Sequence, residues 1–157
     1  MRAGVRLGID VGTARIGVAM SDRDGLLATP VETVPRNSQS ISRLTELVSE
    51  TSAMEIIVGL PLALSGRETA STENARAFAN EVAAATTVPV RLVDERLSTV
   101  SAQSALQRSG RNTKNSRSVI DQVAAVIILQ HALDFERSAD IPPGTTVDID
   151  PRTVIDG

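Results

Sequence analysis

Three acidic residues sit inside or at the end of apolar stretches. They are Asp10 in Gly8-Ile9-Asp10-Val11-Gly12-Thr13, Glu95 in Val93-Asp94-Glu95-Arg96-Leu97-Ser98-Thr99, and Asp121 in Ile120-Asp121-Gln122-Val123-Ala124-Ala125. A carboxylate in such surroundings is costly unless something cationic compensates it. Mg²⁺ and Mn²⁺ prefer carboxylate oxygens, and they complete their shells with water and substrate phosphate. Two such ions about 4 Å apart can activate a water and stabilise the leaving oxygen of a phosphodiester. The acids therefore point to a Mg²⁺ or Mn²⁺ site assembled from distant parts of the chain.

Each acid also has an ordinary explanation. Asp10 could hydrogen-bond the turn that follows it, as Asp does before Gly, although it lies within the strand-like run and not after it. Gly12 and Thr13 would let the backbone approach a phosphate closely. Asp94 and Glu95 adjoin, and neighbouring strand residues point to opposite faces, so one of them faces the site. The other pairs with Arg91 or Arg96, or caps a helix starting near Ser98. Asp121 would top a stripe with Ala124, Ala125 and Ile128, at helical spacing, and the two alanines allow a close approach to a sheet.

Cationic candidates for phosphate contact flank these acids. Arg15 and Arg96 lie within the motifs, and the stretch 108–117 (RSGRNTKNSR) carries Arg108, Arg111, Lys114 and Arg117 with no acid. That stretch reads either as a mobile phosphate-binding loop or as a merely solvated one.

Composition narrows the chemistry. With no cysteine, disulfides and thiolate metal sites are excluded, and one histidine, His131, rules out clusters built on several imidazoles. His131 reads as a helix residue without a catalytic part. The net charge is −3, yet residues 138–157 hold Asp140, Asp148, Asp150 and Asp156 against Arg152 alone, leaving residues 1–137 balanced. Two phenylalanines and no Trp or Tyr make stacking on splayed bases almost unattainable. A nucleic acid partner would be read through backbone charge and shape. No apolar stretch is long enough to span a membrane and no signal-type N-terminus is visible, so a cytoplasmic protein is expected.

The elements that must position these residues follow from the hydrophobic pattern. Val5–Val11, Ile16–Met20 and Leu26–Val34 are strand-like and separated by Gly-containing turns, which predicts an antiparallel meander. Ile41, Leu44, Leu47 and Val48 recur at helical spacing over 39–51. Ile56–Leu60 is a strand stopped by Pro61, Thr69–Ala85 a helix, Val88–Val93 a strand, and Ser98–Arg108 a helix. The longest helix runs from Ser118 to about Arg137, with Val119, Val123, Val126, Ile127, Leu129 and Leu133 on its apolar side. Strand–helix alternation after the meander requires parallel crossovers. The expectation is an α/β domain over 1–137, with a five-stranded mixed sheet flanked by helices. Residues 138–157 are expected to be a disordered acidic tail.

The chain resembles the bacterial YqgF family, also called RuvX, of pre-16S rRNA nucleases and Holliday junction resolvases. The resemblance covers about residues 5–135. It rests on residues 8–19 (GIDVGTARIGVA), 56–62 (IIVGLPL), 94–99 (DERLST) and 121–129 (DQVAAVIIL), four motifs in the family's order. It implies an RNase H-like fold, Asp10, Glu95 and Asp121 as acidic active-site residues, and a role in maturing the 5′ end of pre-16S rRNA. The segment from Gly59-Leu60-Pro61 to Gly66-Arg67-Glu68-Thr69 also matches, and it suits either phosphate contact or ordinary capping.

The leading expectation is thus a metal-dependent endonuclease acting on structured RNA or branched DNA. A small nuclease domain working on a symmetric junction would be expected to act as a homodimer. One rival is a nucleotide-binding domain, because Asp10-Val11-Gly12-Thr13 also resembles the first phosphate motif of the actin and sugar-kinase superfamily. Another is a noncatalytic RNA-binding assembly factor.

Overall fold

The computed structural model describes residues 1–96 and 116–148. Three antiparallel strands open the chain: β1 (Arg6–Val11), β2 (Arg15–Ser21) and β3 (Ala28–Pro35). Helix α1 (Ser40–Thr51) leads to β4 (Glu55–Leu60), and α2 (Ala70–Ala85) leads to β5 (Val90–Asp94). The long helix α3 (Ser116–Ala139) is followed by the two-residue β6 (Thr145–Thr146). The sheet order is β3-β2-β1-β4-β5-β6, with β4 parallel to both β1 and β5.

Alternation along the strands divides the core into two layers. Leu7, Ile9, Ile16, Val18, Ile56, Val58 and Leu92 face α1 and α2, where Leu44, Leu47, Phe78, Ala79 and Val82 close the layer. The other face carries Ala19 and Ile57 against Ala125, Ile128, Leu129, Ala132 and Leu133 of α3. Asp10 has the parity of Gly8 and not of Leu7 and Ile9. It therefore belongs to the α3 face.

Local chemistry sets the boundaries. Ser52 ends α1 in the left-handed region at φ 54°, and its N–H donates to Ser49 O and Val48 O. Thr69 caps α2: its Oγ1 accepts from the Thr72 N–H, and the Thr72 Oγ1 accepts from the Thr69 N–H.

The meander, the parallel crossovers and the two-sided sheet agree with the sequence reading, but the sheet has six strands where five were expected. The sixth comes from the segment expected to be disordered: Thr145 and Thr146 pair with Leu92 and Arg91. A two-residue strand flanked by Pro142-Pro143-Gly144 leaves no periodicity to read. The helix expected over 98–108 lies outside the described residues. In α3, Leu129 and Leu133 are buried as expected, whereas Val123, Val126 and Ile127 are only partly covered. Among the described residues, no helix is long and apolar enough to cross a membrane.

At the end of the sheet away from Asp10, a buried ionic network ties α3 to the strands. Glu55, 1% exposed, accepts from Arg2 at 2.7 and 3.0 Å and from Arg91 at 3.0 Å. Glu136 accepts from the Arg2 side chain at 2.7 and 3.1 Å and from Arg6 at 3.2 Å. Burial works to raise the Glu136 pKa, but hydrogen bonds from Arg2 and the charges of Arg2 and Arg6 prevail and hold it at about 2. A carboxyl with a depressed folded pKa stabilises above its ordinary value near 4.5 and loses that contribution as pH falls toward 2. Glu136→Gln should therefore cost about 3 kcal/mol at pH 7. In urea denaturation, its gap to wild type should narrow at pH 3.

Candidate active site

Three glycines let the acids meet. Asp10 on β1 is paired across the ladder with Gly17 on β2. A Cβ at Gly17 would overlap the backbone carbonyl oxygen of Asp121 and come within 3.1 Å of the Gln122 nitrogen. The backbone of α3 therefore rests directly on β2 and delivers Asp121 beside Asp10. Gly8 serves the same helix further along, where a Cβ would lie 2.7 Å from Leu129 Cβ and 3.2 Å from the Ala125 oxygen. On β4, a Cβ at Gly59 would strike Oε2 of Glu95 and the side chain of Ile128. Its absence is the space that Glu95 occupies.

Pleat decides between Asp94 and Glu95. The Glu95 N–H donates to Leu60 O at 3.3 Å, carrying the strand ladder one residue beyond β5. Glu95 shares the parity of Val93, which packs under α3, and it is 7% exposed. Asp94 turns the other way. Its Oδ1 accepts from the Arg96 backbone at 3.0 Å and its Oδ2 from the Arg96 guanidinium at 2.6 Å, while Arg96 Nη1 donates to Leu64 O at 3.1 Å. Arg96, a candidate for phosphate contact, is engaged in holding the Leu64 loop.

The carboxyls perturb one another. The Glu95 pKa is pushed up to about 8 by burial first, then by the charge of Asp10, a hydrogen bond with Asp10 and the charge of Asp94. The Asp10 pKa is pushed up to about 6 by burial and then by the charge of Asp121, with the Glu95 hydrogen bond pulling the other way. Both carboxyls are thereby pushed toward the protonated form, Glu95 further than Asp10. Among the described residues, Oε2 of Glu95 is buried without a hydrogen-bond partner. Asp121 accepts from Nε of Arg15 at 2.7 Å.

The turn joining β1 to β2 is held from outside the motifs. Gly12 N–H donates to Arg15 O at 2.9 Å, and Arg36 donates from Nη1 to Gly12 O at 2.8 Å and from its backbone to Ala14 O at 2.9 Å. Its guanidinium lies 4.5 Å above the Phe78 ring and donates to Asn74 Oδ1 at 3.1 Å. Sequence reading missed Arg36, because an Arg after the proline that ends a strand carries no distinguishing pattern. It also missed the parts played by Gly8 and Gly17, for which a signal existed: glycine inside a strand marks a close backbone approach. Gly59 makes room for Glu95. Downstream, the cap hydroxyls are satisfied internally, with Thr72 Oγ1 donating to Pro61 O.

Of the cationic candidates, Arg15 is at the site and Arg96 borders it. Arg108, Arg111 and Lys114 lie outside the described residues. Arg117 falls in the first turn of α3, and its side chain is also outside them.

The donor set suits a hard divalent cation. It is all carboxylate oxygen, it includes a buried oxygen with no partner among the described residues, and burial and mutual charge raise two of its carboxyls, a penalty that a cation would relieve. Among the described residues, no three Asp, Glu or His side chains form a ready-made cage. The third acid, Asp121, is paired with Arg15.

Comparison with known proteins agrees with this architecture. The family model described as "RuvX: Holliday junction resolvase" matches residues 4–135. A protein of Clavibacter michiganensis subsp. michiganensis is 60% identical over 159 residues, covering 99% of this chain and 97% of its own. One of Leifsonia xyli subsp. xyli is 61% identical over 150 residues, covering 94% and 97%. Both carry the name "Putative pre-16S rRNA nuclease". Among solved structures, Thermus thermophilus RuvC in complex with a Holliday junction substrate aligns with a TM-score of 0.57 at 18% identity, over 89% of this chain and 99% of that one. The fold is thus RNase H-like. With the four motifs, the acid-bearing strands and helix, and near-full-length relatives in agreement, the chain belongs to the RuvX family.

Proposed function

We propose that this protein is a metal-dependent endonuclease that hydrolyses phosphodiester bonds, acting in the cytoplasm on the 5′ end of pre-16S rRNA. The observation that carries this reading is the coupled Asp10–Glu95 pair, set beside Asp121 on an RNase H-like sheet. Such a costly cluster is the expected signature of a working site. The names of the near-full-length relatives support rRNA as the substrate.

Asp10, Glu95 and Asp121 would hold Mg²⁺ or Mn²⁺, and the ion when bound supplies a more acidic water and stabilises charge on the phosphate. Asp10 and Asp121 contribute the negative charge that attracts the cation. Glu95 keeps its proton against Asp10 in the metal-free protein and releases it on ligation. Arg15, with the basic stretch containing Arg108, Arg111, Lys114 and Arg117, contacts backbone phosphate.

A second reading, a Holliday junction resolvase acting as a homodimer, is favoured by the family description and by the RuvC-like fold. One assay separates the two. Cleavage of a labelled pre-16S 5′ leader and of a four-way DNA junction is measured with Mg²⁺ and Mn²⁺, for wild type, Asp10→Asn and Asp121→Asn. Leader cleavage lost in both variants, with the junction left intact, is the expected result. Preferential junction cutting would transfer the assignment to the resolvase. No cleavage of either by folded protein would leave a binding or assembly role.

A further inference from the structure

We propose that Asp121 exchanges Arg15 for the divalent cation, so that metal binding frees Arg15 to grip the substrate phosphate. This inference rests on the metal-dependent reading above. Three observations carry it.

Asp121 cannot withdraw from the site, because its backbone is seated on Gly17. Its carboxylate is already compensated by one guanidinium, through a contact from Nε at 2.7 Å. Arg15 begins β2, directly after a turn fixed by Arg36, and its side chain is 38% exposed while that of Asp121 is 19% exposed. A one-point ion pair with both partners partly open to solvent is weak, and a divalent ion drawn also by Asp10 and Glu95 outcompetes it. The released guanidinium keeps its planar donor fork beside the site, where it can take two phosphate oxygens. Arg15 thus acts as a stand-in cation in the free protein and as a phosphate clamp in the loaded one.

The test measures Mn²⁺ affinity by electron paramagnetic resonance, without substrate, for wild type and Arg15→Gln. Loss of the competitor should tighten Mn²⁺ binding about threefold to tenfold. In an Asp121→Asn background the same change should have almost no effect, because nothing remains to compete for. Binding of the pre-16S leader is then measured in EDTA and in Ca²⁺. Arg15→Gln should weaken it several-fold in Ca²⁺ and barely in EDTA, where Arg15 is engaged by Asp121. Unchanged or weaker Mn²⁺ affinity in Arg15→Gln would overturn the exchange. So would tightening that persists in the Asp121→Asn background, since that is simple repulsion. A wild-type protein that binds no Mn²⁺ would instead sink the metal-site reading itself.

Discussion

Glu95→Gln should raise the melting temperature of the metal-free protein by roughly 5–10 °C at pH 8.5, while cutting cleavage about a hundredfold to a thousandfold. Glu95 is buried, its Oε2 has no partner among the described residues, and its pKa stands at about 8 against an ordinary 4.5. The unfolded chain gives up this proton near pH 4.5 and the folded chain holds it to about pH 8. Stability therefore falls as pH rises between those values, and the full cost is present above the higher one. The cost amounts to roughly 2–4 kcal/mol after allowing for the buried amide of Gln. Gln can still donate to Asp10, so the site keeps its shape. Calorimetry in EDTA at pH 5 and 8.5 checks the sign: the advantage of Gln should be small at pH 5 and large at pH 8.5. A variant less stable than wild type at pH 8.5 would show that the carboxyl is not under strain. Adding Mn²⁺ should narrow the gap, because wild type gains more from it.

Gly17→Ala should be more damaging to activity than its stability loss explains. The new methyl meets the carbonyl of Asp121, a helix backbone group that cannot rotate aside, so α3 must lift or tilt. Overpacking of this kind costs about 1–3 kcal/mol. The displacement falls on Asp121, whose carboxylate the proposed function places in the site, and misplacement by about 1 Å can cost a hundredfold in rate. Gly8→Ala supplies the comparison. There the methyl meets Leu129, two turns further along the helix, and should cost similar stability with a much smaller loss of cleavage. Urea denaturation and initial cleavage rates, at a temperature where both variants are folded, give the two numbers. Equal activity losses would show that Gly17 matters only for packing.

The order of strands and helices was legible because the hydrophobic period changes cleanly after Pro35, from alternating strands to strand–helix pairs. Asp10 stood out as a candidate for the same reason: a charge interrupting Val5–Val11 breaks a pattern. The choice of Glu95 over Asp94 was not legible, since it depends on where β5 enters the sheet and on Gly59 leaving room. Nor was the pairing of Asp121 with Arg15, which joins residues 106 apart in sequence. The buried network of Arg2, Arg6, Glu55, Arg91 and Glu136 left no trace either. Arg2, Arg6, Glu55 and Glu136 read as ordinary surface charges, and Arg91, expected as a possible partner of Asp94 or Glu95, pairs with Glu55 instead. Thr145 and Thr146 were not legible because Pro, Gly and Asp describe composition, while β6 needs only two residues and an open strand edge.

The helix that completes the candidate site is synthesised long after the strand it covers. β1 lies in the middle of the sheet, yet the face bearing Gly8 and Asp10 is covered by α3, more than a hundred residues downstream. Arg2 and Arg6 likewise wait for Glu136, and their separations of 134 and 130 residues make these closures slow, non-local steps. On a ribosome, the nascent meander must hold its glycine-lined face open until α3 emerges. Under the proposed reading, a partly made chain carries Asp10 and Glu95 but lacks Asp121, and it should not cut.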